Sequence, residues 1–199
     1  MLAPHPWAGW STRRLLQLLL VFGITTIVIS ALFSQWDQAL RHPNAPYGII
    51  SLEMAGTVSA TEAVIGPWSD TVRRMAIRIT LVDYIYMIAY SSCLALLCLL
   101  TGRWAEKAYS AEAASAAKAG RGRASTHFWA HLAWLPWIAA GFDAIENAAT
   151  LFILMSPLRT PWPQLMTSAA VIKFMLLLFV ICVLALGALG LALLPRRRA

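Results

Sequence analysis

The sequence predicts an all-α, polytopic membrane protein with four transmembrane helices and an amphipathic helix on the outer surface. Of its 199 residues, 59% are hydrophobic and only 13% are charged, which is too little charge for the polar shell of a soluble domain of this size. The mean hydropathy is +0.65. Several of the nine Trp residues lie near predicted helix ends, where aromatic rings favour the membrane interface.

The net charge of +7 follows from membrane topology and does not indicate a nucleic-acid partner. The basic residues stand just outside the apolar runs, at Arg13–Arg14, between Arg103 and Arg123, and at Arg196–Arg198. Such flanking positions are what the positive-inside rule requires. The three Cys residues lie within apolar runs and form no Cys-x-x-Cys pair, so we interpret them as buried packing thiols.

Each span is predicted from an apolar run of roughly the 20 residues that a bilayer core requires. The first run is too long for the core of a signal peptide and lacks a good cleavage site, so it is predicted to be an uncleaved helix. Residues 101–126 are rich in Ala, Lys and Arg, and they are predicted to be a solvated cytoplasmic linker, with a frayed extension of the preceding helix as the alternative. The four spans are predicted at residues 15–33, 79–100, 128–154 and 165–194.

The stretch 47–66 is apolar but carries Glu53 and Glu62, which favours an amphipathic helix lying on the outer surface. A spanning helix is the alternative. With four spans, the N-terminus, the basic linker and the C-terminal arginines all fall on one side, as the positive-inside rule asks. We therefore predict a bacterial inner-membrane protein with both termini in the cytoplasm.

Ionisable residues interrupt three of the predicted helices at comparable depth. Asp143, Glu146 and Asn147 follow an i, i+3, i+4 spacing, so they project from one face of the third span. A charged side chain that faces lipid costs roughly 2.5–3.5 kcal/mol, so this face is predicted to turn inward. We predict a polar pocket in the outer half of the bundle. Its predicted ligand-binding residues are Asp143, Glu146, Asn147, Asp83, Glu53, Lys173, Tyr86 and Tyr90.

Within this pocket Lys173 is expected to pair with Asp143 or Glu146, and a remaining carboxyl is expected to have a raised pKa because burial disfavours its ionised form. No Glu-x-x-His pair is present and no His lies near the acids in sequence, so no metal site is predicted. The chain has no phosphate-binding glycine loop and no nucleophile elbow. Catalytic residues and cofactors are therefore left unknown.

Three functions fit this arrangement. The first is a structural or accessory subunit of a larger membrane complex or homo-oligomer, in which polar groups hold helices together. The second is binding, or isomerase-type conversion, of an apolar lipid-like small molecule. The third is proton-linked transport by the carboxylates; the lack of an internal repeat and of a broken helix speaks against it. The sequence leaves open whether the protein is an enzyme.

Three segments carry a resemblance: Ser51 to Ala55 (SLEMA), Leu81-Val-Asp83, and the run Ala140-Gly-Phe-Asp143-Ala-Ile-Glu146-Asn147. The chain resembles, over about its middle half, a group of uncharacterised bacterial four-helix membrane proteins with an Asp-x-x-Glu-Asn motif. This resemblance implies the same fold and brings no established activity. The layout is also similar to that of the EXPERA family of sterol isomerases and sterol-binding proteins. That likeness is one of architecture, so no residue role follows from it.

Overall fold

The structure, a computed structural model, describes residues 3–112 and 125–193. Within these ranges the regular elements are helices and no β-strand occurs, which confirms the all-α class. Four helices are long and apolar enough to cross a membrane. They are α1 (Thr12–Asp37), α4 (Asp70–Glu112), α5 (Ser125–Met155, with a turn at Ala133–Trp134) and α6 (Trp162–Leu193); the short helices α2 (Ile49–Glu53) and α3 (Val58–Ile65) lie between α1 and α4.

Helix starts follow local capping chemistry. The Ser11 hydroxyl accepts the N–H of Arg14 at 3.4 Å at the start of α1, and the Thr57 hydroxyl accepts the N–H of Ala60 at 3.1 Å at the start of α3. Both side chains satisfy a backbone donor that the first helical turn leaves unpaired.

The segment predicted as one helix over 47–66 is divided into α2 and α3. Gly48 and Gly56 adopt positive φ angles of 56° and 67°, which side-chain-bearing residues rarely adopt, so the chain turns at both positions. Neither piece is long enough to cross a bilayer. The amphipathic segment is thus a folded cap over one end of the bundle.

The second helix is longer than the predicted span 79–100. It begins at Asp70 and continues to Glu112, which takes in the first part of the predicted linker. Residues 113–124 of that linker lie outside the described residues, and α5 begins at Ser125. Likewise α6 begins at Trp162, three residues before the predicted start.

The helices pack as α1 along α4, α4 against α5, and α5 along α6, with a further contact between α4 and α6. We call the end that carries α2 and α3 the capped end, and the end that carries residues 3–11 the N-terminal end. An apolar cluster lies at each end. The capped-end cluster includes Leu40, Leu52, Trp68, Ile79, Ile153 and Met166; the N-terminal cluster includes Leu15, Leu96, Leu100, Trp129, Leu132 and Val180.

The N-terminal end is closed by residues 3–11, which lie across it. The Arg103 guanidinium donates to the carbonyl of Ala8 and the hydroxyl of Thr12, each at 3.0 Å, and also to the carbonyl of Trp10. The N–H of His5 donates to the carbonyl of Ala130 at 3.2 Å. Burial lowers the pKa of the His5 imidazole, which favours the neutral form of this side chain.

Candidate functional site

The centre of the site is an ion pair between α5 and α6. The Lys173 ammonium lies 3.0 Å from Oδ1 of Asp143 and 2.7 Å from Oε2 of Glu146. The three residues are almost fully buried, with 6%, 2% and 1% of their surfaces exposed. The spacing of Asp143 and Glu146 puts both acids on one helical face. The pairing that the sequence predicts for Lys173 is therefore present, with both acids at once.

Helix α4 completes the coordination of Asp143. The Tyr90 hydroxyl donates to Oδ2 of Asp143 at 2.7 Å, so each oxygen of this buried carboxylate has a partner. The ring of Tyr90 packs edge-on against Tyr86, with centroids 5.4 Å apart. Tyr86 in turn accepts a hydrogen bond from the Ser30 hydroxyl of α1 at 3.0 Å. Hydrogen bonds and one aromatic contact thus connect α6 to α1 across the bundle.

A second link joins α4 to α5 nearer the capped end. The side-chain amide of Asn147 donates to Oδ2 of Asp83 at 2.7 Å. No hydrogen bond to the other oxygen of Asp83 is found within residues 3–112 and 125–193, and this side chain lines a cavity. Asp83 therefore offers acceptor capacity that its protein partners leave unused.

Glu53 approaches the cluster from the cap. It is the last residue of α2, and its backbone carbonyl accepts the Thr167 hydroxyl of α6 at 2.6 Å, which fixes the end of the helix. Its carboxyl lies within hydrogen-bonding reach of Glu146. Burial raises the pKa of the Glu53 carboxyl, and the nearby Lys173 offsets only part of that rise.

The position of α2 depends on Asp37, at the end of α1. Its Oδ1 accepts the N–H of Ile49 at 2.7 Å, at the first turn of α2. Its Oδ2 pairs with Arg41 at 3.1 Å. A Cβ at Gly48 would lie 2.0 Å from Oδ1 of Asp37, so glycine is required where the loop passes this carboxylate. Asp37 and Gly48 together hold Glu53 over the acids of the bundle.

A cavity of about 430 Å³ lies beside the cluster. Its polar wall contains Glu53, Asp83, Asn147 and Lys173, and its apolar wall includes Phe33, Ile79 and Phe174. The volume is within the range of roughly 300–1,000 Å³ typical of small-molecule sites. A pocket with one charged wall and one apolar wall suits a molecule with a polar head and an apolar body.

The eight predicted site residues lie together around Lys173 and the cavity. Glu53, Asp83, Tyr86, Asn147 and Lys173 line the cavity, while Asp143, Glu146 and Tyr90 lie behind it and hold Lys173 and each other.

Helix α1 also contributes to the cavity wall, which the sequence analysis did not foresee. Ser30, Ser34 and Asp37 line the cavity, and they follow an i, i+4, i+7 spacing along one helical face. That spacing is visible in the sequence, but small hydroxyl residues are common in transmembrane helices, so it is a weak signal. Phe174 follows Lys173 directly, and its ring centroid lies 4.6 Å from the ammonium, within cation–π distance.

Within the described part of the chain, no group of three or more His, Cys, Asp or Glu side chains has an arrangement that could hold a metal ion. The site can instead hold charge, accept hydrogen bonds, and keep a proton on one of its carboxyls.

Comparisons with known proteins found no matching family model, curated protein or solved structure. The resemblances drawn from its motifs therefore stay predictions. From its own sequence and structure, the chain is an all-α protein with four helices long and apolar enough to span a membrane.

Proposed function

We propose that this membrane protein binds an amphiphilic small molecule in the cavity between α1, α4 and α6. The observation that carries the proposal is the cavity itself, about 430 Å³ in volume, with Glu53, Asp83 and Lys173 on one wall and aromatic and aliphatic side chains on the other. A bundle whose polar residues served only to hold helices together would be expected to fill this space with side chains.

The remaining predicted functions have less support. A structural role accounts for the ion pair of Lys173 with Asp143 and Glu146, which joins α5 to α6, but it does not account for the cavity. Transport requires a polar route to both ends of the bundle. Among the described residues, the buried polar side chains between Asp143 and the N-terminal end are the hydroxyls of Ser91, Ser92 and Thr101, which bond to their own helix.

The test is native mass spectrometry of the protein purified in mild detergent, comparing the wild type with Asp83→Asn. Asp83 lines the cavity, and the asparagine can still accept the hydrogen bond from Asn147. Asp70→Asn is the matched control, because Asp70 lies on the same helix and is exposed. We expect a copurified small molecule in the wild type and the control, reduced in Asp83→Asn.

The opposite result would be a wild-type protein that carries no small molecule but remains associated with larger subunits. That result would favour the accessory role. An isomerase-type conversion of the bound molecule stays a prediction, which is tested by whether the copurified molecule is one compound or a pair of isomers.

For orientation we propose that the N-terminal end faces the cytoplasm of a bacterial inner membrane. Ten of the sixteen Lys and Arg residues lie in the sequence stretches 1–14, 101–126 and 194–199, five lie in the stretches 34–78 and 156–164, and Lys173 lies within α6. This bias is the one that sets orientation in the positive-inside rule. A reporter fused after Ala199 should be active only if it is one that functions in the cytoplasm; activity of a periplasm-dependent reporter would reverse the assignment.

A further inference from the structure

The side chains around the cavity carry more negative than positive charge. Four carboxyl groups, those of Glu53, Asp83, Asp143 and Glu146, lie around one ammonium, that of Lys173. The guanidinium of Arg41 also borders the cavity, but it is paired with Asp37. If all these groups were ionised, the cluster would hold an excess of three negative charges, which a buried site cannot hold without protons or a cation.

The donors of the cluster already have partners within the protein. The Lys173 ammonium pairs with Asp143 and Glu146, and Tyr90 donates to Asp143. Facing the cavity, Asp83 accepts one hydrogen bond from Asn147. The Glu53 carboxyl lies within hydrogen-bonding reach of the Glu146 carboxyl, so these two can share one proton. Among the described residues, the other oxygen of Asp83 is thus an acceptor beside the cavity that has no donor.

The shape of the cavity indicates how a ligand reaches these acceptors. Its lining includes four exposed residues, Ser34 on α1, Arg41 shortly after α1, Ile50 on α2 and Phe174 on α6. Helix α1 packs extensively along α4 and not along α6, so the open side lies between α1 and α6. Phe174 is twelve residues into α6, which at about 1.5 Å per residue is roughly 18 Å from the helix start. In a bilayer, an opening at that depth of a spanning helix would face hydrocarbon.

We infer that the molecule bound in this cavity carries a protonated amine on an apolar body, and that it enters sideways from the bilayer between α1 and α6. The inference rests on the proposed function, since it names the ligand class of that same site. The amine would donate N–H groups to Asp83 and Glu53, and its positive charge would offset the excess of carboxyl groups over the Lys173 ammonium. Phe33, Ile79 and Phe174 would contact the apolar body.

The experiment measures binding of three amphiphiles with the same twelve-carbon chain, dodecylamine, dodecanol and dodecanoate. The full-length protein is held in nanodiscs of a zwitterionic phospholipid, and empty nanodiscs correct for partitioning into the lipid. We expect dodecylamine to bind at least tenfold more tightly than dodecanol, and dodecanoate to bind most weakly. This ranking uses the unmodified protein, so it does not depend on whether a variant folds.

A variant of the cavity wall then tests whether dodecylamine binds in this cavity. Glu53→Gln combined with Asp83→Asn should reduce the amine affinity at least tenfold and leave dodecanol binding unchanged. Glu62→Gln, at an exposed acid on α3, is the matched control and should behave as the wild type. If the double variant does not fold, Asp83→Asn alone serves the same purpose, with a smaller expected loss.

The outcomes separate the two proposals. If dodecanol or dodecanoate binds as tightly as the amine, the cationic head group is wrong while the binding function stands. If none of the three binds above empty nanodiscs, both proposals are overturned. If the amine binds but the double variant binds it equally well, the site is elsewhere and the inference fails.

Discussion

At the N-terminal end the indole of Trp129 packs directly onto two glycines, whereas midway along the bundle Lys173 is surrounded by carboxylates and borders an open space. In the first region, contacts between apolar groups contribute to stability. In the second, charged groups hold helices together and leave a cavity beside them. The comparison indicates that both regions stabilise the bundle, by apolar packing in one and by a buried ion pair in the other, and that the polar region also presents charged groups to a cavity.

The largest loss of stability is expected from removing the Lys173 ammonium of the polar region. Lys173→Met leaves Asp143 and Glu146 buried without a cation, and breaking a buried pair in this way costs about 3–5 kcal/mol. Lys107→Met is the control, because Lys107 is exposed on α4. The midpoint of thermal unfolding in mild detergent measures both. Equal midpoints would mean that the ion pair contributes nothing to stability and would remove the contrast between the two regions.

The next effect tests the close packing of the N-terminal end. A Cβ added at Gly187 would lie 2.6 Å from the Trp129 ring, so Gly187→Ala overpacks the contact and should cost about 1–3 kcal/mol. Gly190→Ala on the same helix meets nothing within 4 Å and should be neutral or slightly stabilising. The same unfolding midpoints check the pair. A neutral Gly187→Ala would show that this end is looser than its geometry indicates.

A smaller effect is expected where the N-terminal segment closes the bundle. Arg103→Met removes the hydrogen bonds to the carbonyls of Ala8 and Trp10 and to the hydroxyl of Thr12. Because the guanidinium is only partly buried, we expect a stability loss of roughly 1 kcal/mol. Hydrogen exchange should increase selectively in residues 3–11. A uniform increase throughout α1 and α4 would instead mean that Arg103 supports the whole bundle.

The smallest effect concerns the pH dependence of the polar region. Since the folded-state pKa of Glu53 is raised above its ordinary value of 4.5, its contribution to stability is complete below pH 4.5 and declines as the pH rises above that value. In Glu53→Gln, the free energy of unfolding should therefore decrease less steeply as the pH rises above 4.5. Unfolding midpoints across that range measure the slope, with Glu62→Gln as the control. An unchanged slope would place the titration on other groups.

Much of the polar region was predictable because lipid restricts where charge can lie. Asp143, Glu146 and Lys173 each interrupt an apolar helix, and the cost of exposing them to hydrocarbon requires that they face inward. Helix direction and the rise per residue then give their depth. Their convergence follows from these two constraints, and the structure has Lys173 between both acids.

The cap was less predictable. Its hydrophobic pattern favours one amphipathic helix, whereas Gly48 and Gly56 turn the chain and divide it into two. A glycine in sequence does not by itself specify a positive φ, since glycine also tolerates helical angles. The deciding contact is that of Gly48 with Asp37, eleven residues earlier in the chain, which no local pattern reveals.

The sequence by itself determined that the protein is helical, that four helices can span a membrane, and that certain acids and one lysine must face inward, because hydropathy and the cost of charge in lipid depend on residue type and spacing alone. Only the tertiary structure decided which acids share Lys173, that Glu53 is placed over them, and that a cavity opens between α1 and α6. These depend on which helices pack together and how closely, and packing is a property of surfaces that meet only in the folded chain.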